Sequence, residues 1–265
     1  MARAGTASPR SNEWNALERR IVACERCPRL REHCCEIARV RRRAFRHETY
    51  WGRPVPGFGD VGASVLVLGL APAAHGANRT GRMFTGDRSG EWLYGALHRA
   101  GLASRPDSIE RTDGLALRGA YVTAACRCAP PENRPTPAEL AACAEYLDRE
   151  IELLRPSLRV VLALGRIAWD ATLARARRVA PERLTRPRPT FGHGREARIP
   201  LFANAAPMWL VASYHPSQQN TLTGRLTRPM LDRVVGLACR RAGLGPPTEA
   251  SPDAGRPRRS SRPTP

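Results

Sequence analysis

Four short apolar runs constrain this chain more than any other feature: ASVLVLGL (Ala63–Leu70), GAYVTAA (Gly119–Ala125), RVVLAL (Arg159–Leu164) and MWLVASY (Met208–Tyr214). A continuous Val- and Leu-rich run of this length suits a parallel strand buried on both faces. Between the runs lie stretches of helical character: 13–47, Ser89 to about Ala100, Pro137–Leu154, Gly165 to about Val179, and about Leu226 to Ala242. Thr136 followed by Glu139 forms a capping box that starts the third of these. Strands alternating with helices predict an α/β fold with a mainly parallel central sheet. Residues 51–62, 71–87, 130–137 and 180–200 read as loops. The 265 residues are then one domain over 13–242, preceded by a polar arm (1–12) and followed by a Pro-, Ser- and Arg-rich tail (243–265) without apolar periodicity, read as disordered.

An open parallel sheet binds its ligands beyond the carboxyl ends of its strands. Two segments there carry chemistry: GLAPAAHGANRTGRMFTGD (Gly69–Asp87) and YHPSQQNTLTGRLT (Tyr214–Thr227).

Forty-three basic residues against 24 acidic give a net charge of +19, and every basic residue is arginine. A GC-rich coding bias explains the choice of arginine but not the excess of base over acid. That excess points to a polyanion, nucleic acid ahead of a membrane surface. The absence of lysine excludes lysine Schiff-base chemistry and a lysine-based P-loop. No window approaches the roughly 18 uncharged apolar residues of a spanning helix, and MARAGTASPRSNEW holds no apolar leader core. The expectation is a soluble, cytoplasmic protein, with no membrane partner.

Eight cysteines in such a chain indicate metal or redox chemistry rather than a disulfide frame. Cys24 and Cys27 form a CxxC, and Cys128 and Cys143 flank the proline-rich loop and the next helix. Four such thiolates suit Zn²⁺ or an iron–sulfur cluster, the unequal spacing leaning to the cluster. The competing reading makes Cys128 and Cys143 ordinary buried small residues. Cys126 is near enough to compete as a ligand, while Cys34, Cys35 and Cys239 read as core or surface thiols.

The loop Gly69–Asp87, the segment YVTAACRCAPPENRPTP (Tyr121–Pro137), the HPSQQNTLTGRLT loop and the cysteine quartet together resemble the family 5 (type B) uracil-DNA glycosylases, over roughly residues 20–240. The resemblance implies a three-layer α/β/α sandwich around a mainly parallel sheet of about four strands. It implies a [4Fe–4S] cluster on Cys24, Cys27, Cys128 and Cys143, and removal of uracil and other deaminated bases, such as hypoxanthine, from DNA as the opening step of base excision repair.

The residues carry matching chemistry. Base excision flips the nucleotide, stacks the base, stabilises it as an anion and places a water. His215, at a strand end before Pro216, is positioned to donate to a base oxygen as charge develops there. Gly69–Ala73 matches the family's first motif, where related families place a carboxylate; here Leu70, Ala71 and Ala73 are apolar, so no general base comes from this stretch. Asn78 is the candidate to hold a water, which its amide positions without deprotonating, and His75 supports the loop. Phe84 matches the aromatic that stacks on the flipped base. Ala124 stands where uracil-specific relatives carry an asparagine, which predicts broad base specificity. Leu222 is the candidate wedge into the base stack, with Leu226 assigned to the core. Ser217, Thr223, Arg225 and Arg228 are assigned to phosphates, and the arginines of 39–46 to a second phosphate track or a solvated face.

The reading is a monomeric, monofunctional glycosylase without lyase activity. Its partners are double-stranded and single-stranded DNA containing deaminated bases, in the cytoplasm at the nucleoid. The alternative is a non-enzymatic, arginine-rich nucleic-acid-binding protein with a structural zinc site. A zinc deaminase lacks its H-x-E plus P-C-x-x-C pattern here.

Overall fold

In the computed structural model, residues 9–184 and 187–245 are described. The expected tail from 246 onward lies outside them, as do residues 1–8.

Six strands form one sheet: β1 (Phe58–Gly59), β2 (Val65–Gly69), β3 (Ala120–Ala124), β4 (Val160–Leu164), β5 (Glu196–Ile199) and β6 (Met208–Ser213), in the order β1-β3-β2-β4-β6-β5. The four predicted runs are β2, β3, β4 and β6. They pair in parallel, with Val65 opposite both Ala120 and Val160, and Val160 opposite Trp209. The sequence reading missed β1 and β5, which pair antiparallel at the two edges. The first is two residues in a turn-rich loop. The second, EARI, carries charge, as an edge strand does to discourage further pairing.

Each central strand feeds two cores. Val65 and Val67 join the core beneath α4 (Arg88–Arg99) and α8 (Arg228–Ala242). Leu66 and Leu68 join the core beneath α1 (Pro9–Val22), α5 (Pro137–Leu154) and α6 (Arg166–Val179). Both sheet faces are covered, which is why β2, β3, β4 and β6 hold no charged residue. The predicted capping box at Thr136 and Glu139 is formed.

The single helical stretch expected over 13–47 is two helices. The chain breaks around Cys24–Cys27 and restarts as α2 (Pro28–Val40), with Pro28 in the first turn, where its missing N–H costs nothing. The first helix starts at Pro9, inside the expected arm, because Arg10 reaches the Val61 and Leu153 carbonyls while Trp14, Leu17 and Ile21 bury one face. Two loops hold one-turn helices, α3 (Ala77–Thr80) and α7 (Gln218–Leu222), and the last helix starts at Arg228 rather than Leu226.

One buried ion pair ties these layers together. Arg127 and Glu150 are almost wholly excluded from solvent and meet at 2.6 Å. Glu150 also accepts from the Thr123 hydroxyl at 2.8 Å and the Tyr121 hydroxyl at 3.3 Å, so α5 is pinned to β3. Glu150→Ala strands the Arg127 charge in the interior and is expected to cost about 3–5 kcal/mol of stability. The double variant Arg127→Met/Glu150→Leu is expected to recover most of that loss. Urea unfolding of the three proteins checks both outcomes.

Candidate active site

From β2 the chain moves to β3 on one side; it then returns to β4 on the other side and continues to β6. The strand order therefore reverses between β2 and β4, the position where parallel sheets open a crevice at their carboxyl ends. A cavity of about 430 Å³ lies there, lined by Leu70 after β2, Leu164 and Gly165 after β4, Tyr214 and His215 after β6, and Arg166, Ile167, Phe191, Gly192, Asn220 and Arg225. No carboxylate is among these lining residues.

His215 stands on rigid support. Its carbonyl accepts from the Asn220 amide at 2.9 Å, and Ser217 caps α7, the turn that carries Asn220. Burial pushes the imidazole pKa down to about 4. At neutral pH the ring is uncharged and has one N–H to donate, the state that can serve a developing anion without carrying a positive charge of its own.

Phe84 lies against it, ring centroids 5.7 Å apart and planes 29° from parallel. The Phe84 backbone is left-handed, with φ of 54°, and the surroundings hold it there. A Cβ on Gly90 would fall 1.7 Å from the Phe84 carbonyl oxygen, and one on Gly69 would fall 2.6 Å from its ring. Arg82, two residues earlier, is buried in a bidentate pair with Asp113 and bonds Ser108 at 2.7 Å. Asp87 closes the loop by capping α4 through the Gly90 N–H, and burial raises its carboxyl pKa.

The other predicted residues divide. Arg225 reaches the cavity, its guanidinium 4.6 Å from the Tyr214 ring centroid. Leu222 projects into solvent at 64% exposure, whereas Leu226 is fully buried. Thr223 is exposed and donates its hydroxyl to the Gln219 carbonyl. Arg228 pairs with Glu91 at 2.9 Å and covers Trp92. Ala71 and Ala73 are half-buried and do not line the cavity; Ala124 is sealed in the core.

Asn78 is not brought to the cavity. It is fully buried, and its amide nitrogen donates to the carbonyls of Cys34 on α2 at 3.3 Å and Ala74 at 3.4 Å. The amide thus fastens the Gly69–Asp87 loop to α2. His75 supports that loop as expected, through the Tyr50 hydroxyl at 3.0 Å.

The predicted cysteines do converge, with company. Cys27 interacts with Cys24 and Cys143, and burial leads these neighbours in raising its thiol pKa. The neighbouring Cys126 is the chief cause holding the Cys143 thiol below the usual range, and Cys128 and Cys34 likewise interact as neighbours. All eight cysteines are unpaired by disulfides. Among the described residues, no group of three or more His, Cys, Asp or Glu side chains is arranged to hold a metal ion.

Sequence reasoning missed the wall opposite Leu70. Phe191 and His193, from FGHG in the loop before β5, lie against Tyr214 with ring centroids 6.3 and 5.0 Å away. An aromatic and a histidine flanking a glycine, within reach of a strand end, was the available signal. Arg166 covers the Phe191 ring at 5.7 Å.

Comparison with known proteins bears on this site. The sequence model of the Uracil DNA glycosylase superfamily matches residues 56–236. The Type-5 uracil-DNA glycosylase of Thermus thermophilus is 52% identical over 229 residues, covering 86% of this chain and 98% of that protein. The Type-5 uracil-DNA glycosylase of Mycobacterium tuberculosis is 50% identical over 232 residues, 88% of this chain and 82% of the relative. The Type-4 uracil-DNA glycosylase of Archaeoglobus fulgidus is 37% identical over 115 residues, 43% of this chain and 49% of its own length.

The depressed His215 pKa has a consequence for stability. An unfolded imidazole takes up a proton near pH ~6.5, whereas the native ring resists protonation down to about 4. Between those values the unfolded state binds more protons, so stability falls as pH drops through that window. Burial also lowers the pKa of His75 and His193, with the same sign. Urea midpoints are expected to decrease from pH 7 to pH 5, and His215→Asn to show the shallower slope. Equal slopes for the two proteins would contradict a native ring held neutral.

Proposed function

The chain belongs to the Uracil DNA glycosylase superfamily, and we propose that it is a monofunctional glycosylase that hydrolyses the N-glycosidic bond of uracil and other deaminated bases in DNA, opening base excision repair. The observation that carries this reading is the neutral, backbone-anchored His215 beside Phe84 at the sheet's switch point. A flipped base entering this cavity meets the His215 N–H at the oxygen where negative charge grows. The bond strengthens only as the base departs, which is the condition for catalysis rather than tight substrate binding.

With no carboxylate lining the cavity, catalysis leans on leaving-group stabilisation more than on deprotonated water. We assign Asn78 to holding the loop rather than the water. Ala124 offers no edge-reading amide, and the Asn220 amide is committed to the His215 carbonyl. The pocket therefore lacks a bidentate reader, which supports acceptance of hypoxanthine alongside uracil. Absence of lysine leaves no side-chain amine for an imine with the abasic sugar, so strand cleavage is not expected.

Outside the cavity, Leu222 is the wedge and Ser217 and Thr223 hold phosphates, while Arg225 holds one from the cavity wall. Arg228 joins them by exchanging its exposed pairing with Glu91, a contact worth ~1 kcal/mol at most. No helix among the described residues is long and apolar enough to cross a membrane. The reading makes the protein a cytoplasmic monomer acting on double-stranded and single-stranded DNA.

We further assign a [4Fe–4S] cluster to Cys24, Cys27, Cys128 and Cys143. The donor set supports it: unpaired thiols from the α1–α2 turn, the loop after β3 and α5 share one neighbourhood, with Cys34 and Cys126 beside them. When bound, the group supplies a structural staple between the N-terminal helices and the sheet. Purified protein is expected to be brown and to contain iron and acid-labile sulfide, and Cys24→Ala to lose colour and solubility. Stoichiometric zinc without iron would overturn the assignment and favour the structural zinc alternative.

The function itself is tested with duplexes carrying one deoxyuridine or one deoxyinosine, followed by alkali to reveal abasic sites. Wild-type protein is expected to yield alkali-dependent cleavage only. His215→Ala is expected to lower turnover by about 10²–10³ with DNA affinity retained. Binding without abasic-site formation on any lesion would leave the non-enzymatic reading standing.

A further inference from the structure

We infer that His193 is a positioning residue for His215: its ring supplies the last rung of the β5–β6 ladder and thereby sets the backbone that carries the catalytic imidazole. The inference deepens the reading of His215 given above and rests on it.

The ladder shows why a side chain is needed there. Strands β5 and β6 pair through Glu196 and Val211. Two further bonds extend the pairing, Ala212 N–H to the Arg195 carbonyl at 2.9 Å and Gly194 N–H to the Ala212 carbonyl at 2.8 Å. Then Gly194 turns left-handed, with φ of 75°, and the partner backbone leaves the sheet. The next N–H on the β6 side belongs to Tyr214, directly before His215. Its acceptor is the Nδ1 of the His193 ring, at 3.1 Å. An imidazole nitrogen thus stands in for the missing carbonyl. On the other side of the catalytic residue, Asn220 donates to the His215 carbonyl at 2.9 Å. Two side chains from separate segments bracket His215, one bond before it and one after.

The ring is suited to this task in only one state. To accept at Nδ1, His193 must be neutral with its proton on Nε2. The Met230 backbone on α8 lies beside the ring. Burial and the nearby Arg233 on the same helix keep the ring from charging. Its stacking against Tyr214, at 5.0 Å and 31°, holds the plane. His193 is not among the cavity-lining residues, so its effect on chemistry passes through the Tyr214–His215 backbone.

Two variants separate positioning from bulk. His193→Asn places Oδ1 on Cγ, where Nδ1 sits in histidine, and keeps the acceptor; His193→Ala removes it. In single-turnover excision of uracil at saturating enzyme, His193→Ala is expected to be slower by about 10- to 100-fold, the scale of a catalytic group misplaced by an ångström. Its Kd for the same duplex is expected to stay within about twofold of wild type, and His193→Asn to restore most of the rate. Hydrogen exchange at the Tyr214 amide is read in parallel, with protection expected in wild type and His193→Asn and lost in His193→Ala. Equal rates for His193→Ala and wild type would overturn the inference. So would an Asn variant no better than Ala, or a protected Tyr214 amide in His193→Ala. An inactive wild-type protein would defeat the proposed function instead, and the exchange measurement would still decide whether the rung exists.

Discussion

The Arg127–Glu150 pair is the interaction on which the rest of this structure depends. Arg127 sits between Cys126 and Cys128, and Glu150 lies on the helix that carries Cys143. Their contact, with the Thr123 and Tyr121 hydroxyls completing it, fixes three things together: the end of β3, the loop of thiols and the position of α5. The Arg127 carbonyl also accepts from Val55 at 2.7 Å, bringing in the segment before β1. Removing two charges from water is expensive, so the pair is poor value as a source of stability alone. What it supplies is register. Only one placement of α5 satisfies a buried carboxylate that already has two hydroxyl donors, and that placement brings Cys143 towards Cys27. The thiols are therefore assembled by the protein core, and a metal group bound there would staple a junction that already exists.

The proposed active site divides charge between its surroundings and its interior. The chain as a whole carries +19, which draws in a polyanion. Near the cavity, two arginines lie over rings, Arg166 over Phe191 and Arg225 over Tyr214. This arrangement keeps positive charge on two exposed arginines at the cavity, while the less exposed His215 is neutral at neutral pH. In the low-dielectric setting that lowers its pKa, one N–H bond to an incipient anion would count for more than it would in solvent. Steering and catalysis draw on the same electrostatics at different depths.

The sequence exposes some of this and conceals the rest for definable reasons. The four central strands were legible because burial on both faces leaves a run of Val and Leu with no competing explanation. Pro137–Leu154 was legible because a capping box is local chemistry. The edge strands were not: Phe58–Gly59 is too short to show a period, and EARI reads as loop until β6 is beside it. The contact of Asn78 with α2 is hidden from the sequence because its partner Cys34 lies 44 residues away, and a loop asparagine looks the same whether its amide faces a water or a helix. Arg228 read as a free cation because Glu91 is 137 residues distant. The cysteine spacing points to one neighbourhood of thiols, which Cys34 and Cys126 join only through tertiary contact. His215 and Phe84 stand out in the sequence because position at a strand end and a long motif point the same way, and the fold brings their rings together.

That contrast bears on how such a site is built. Residues that contact a substrate must sit at strand ends, so topology confines them to a few segments that a sequence reveals. Residues that hold those segments in place face no such restriction. His193, Asn220 and Asn78 each act through a backbone amide or carbonyl, and any loop that reaches the group can supply them. A backbone N–H at the end of a strand has lost its regular partner and cannot be left bare in a buried wall. Some side chain must answer it, and the one that does acquires control over the residue next along the chain. In this protein the demand falls on the N–H beside His215, so the placement of the imidazole proposed as catalytic is tied to the same accounting of hydrogen bonds that ends the sheet.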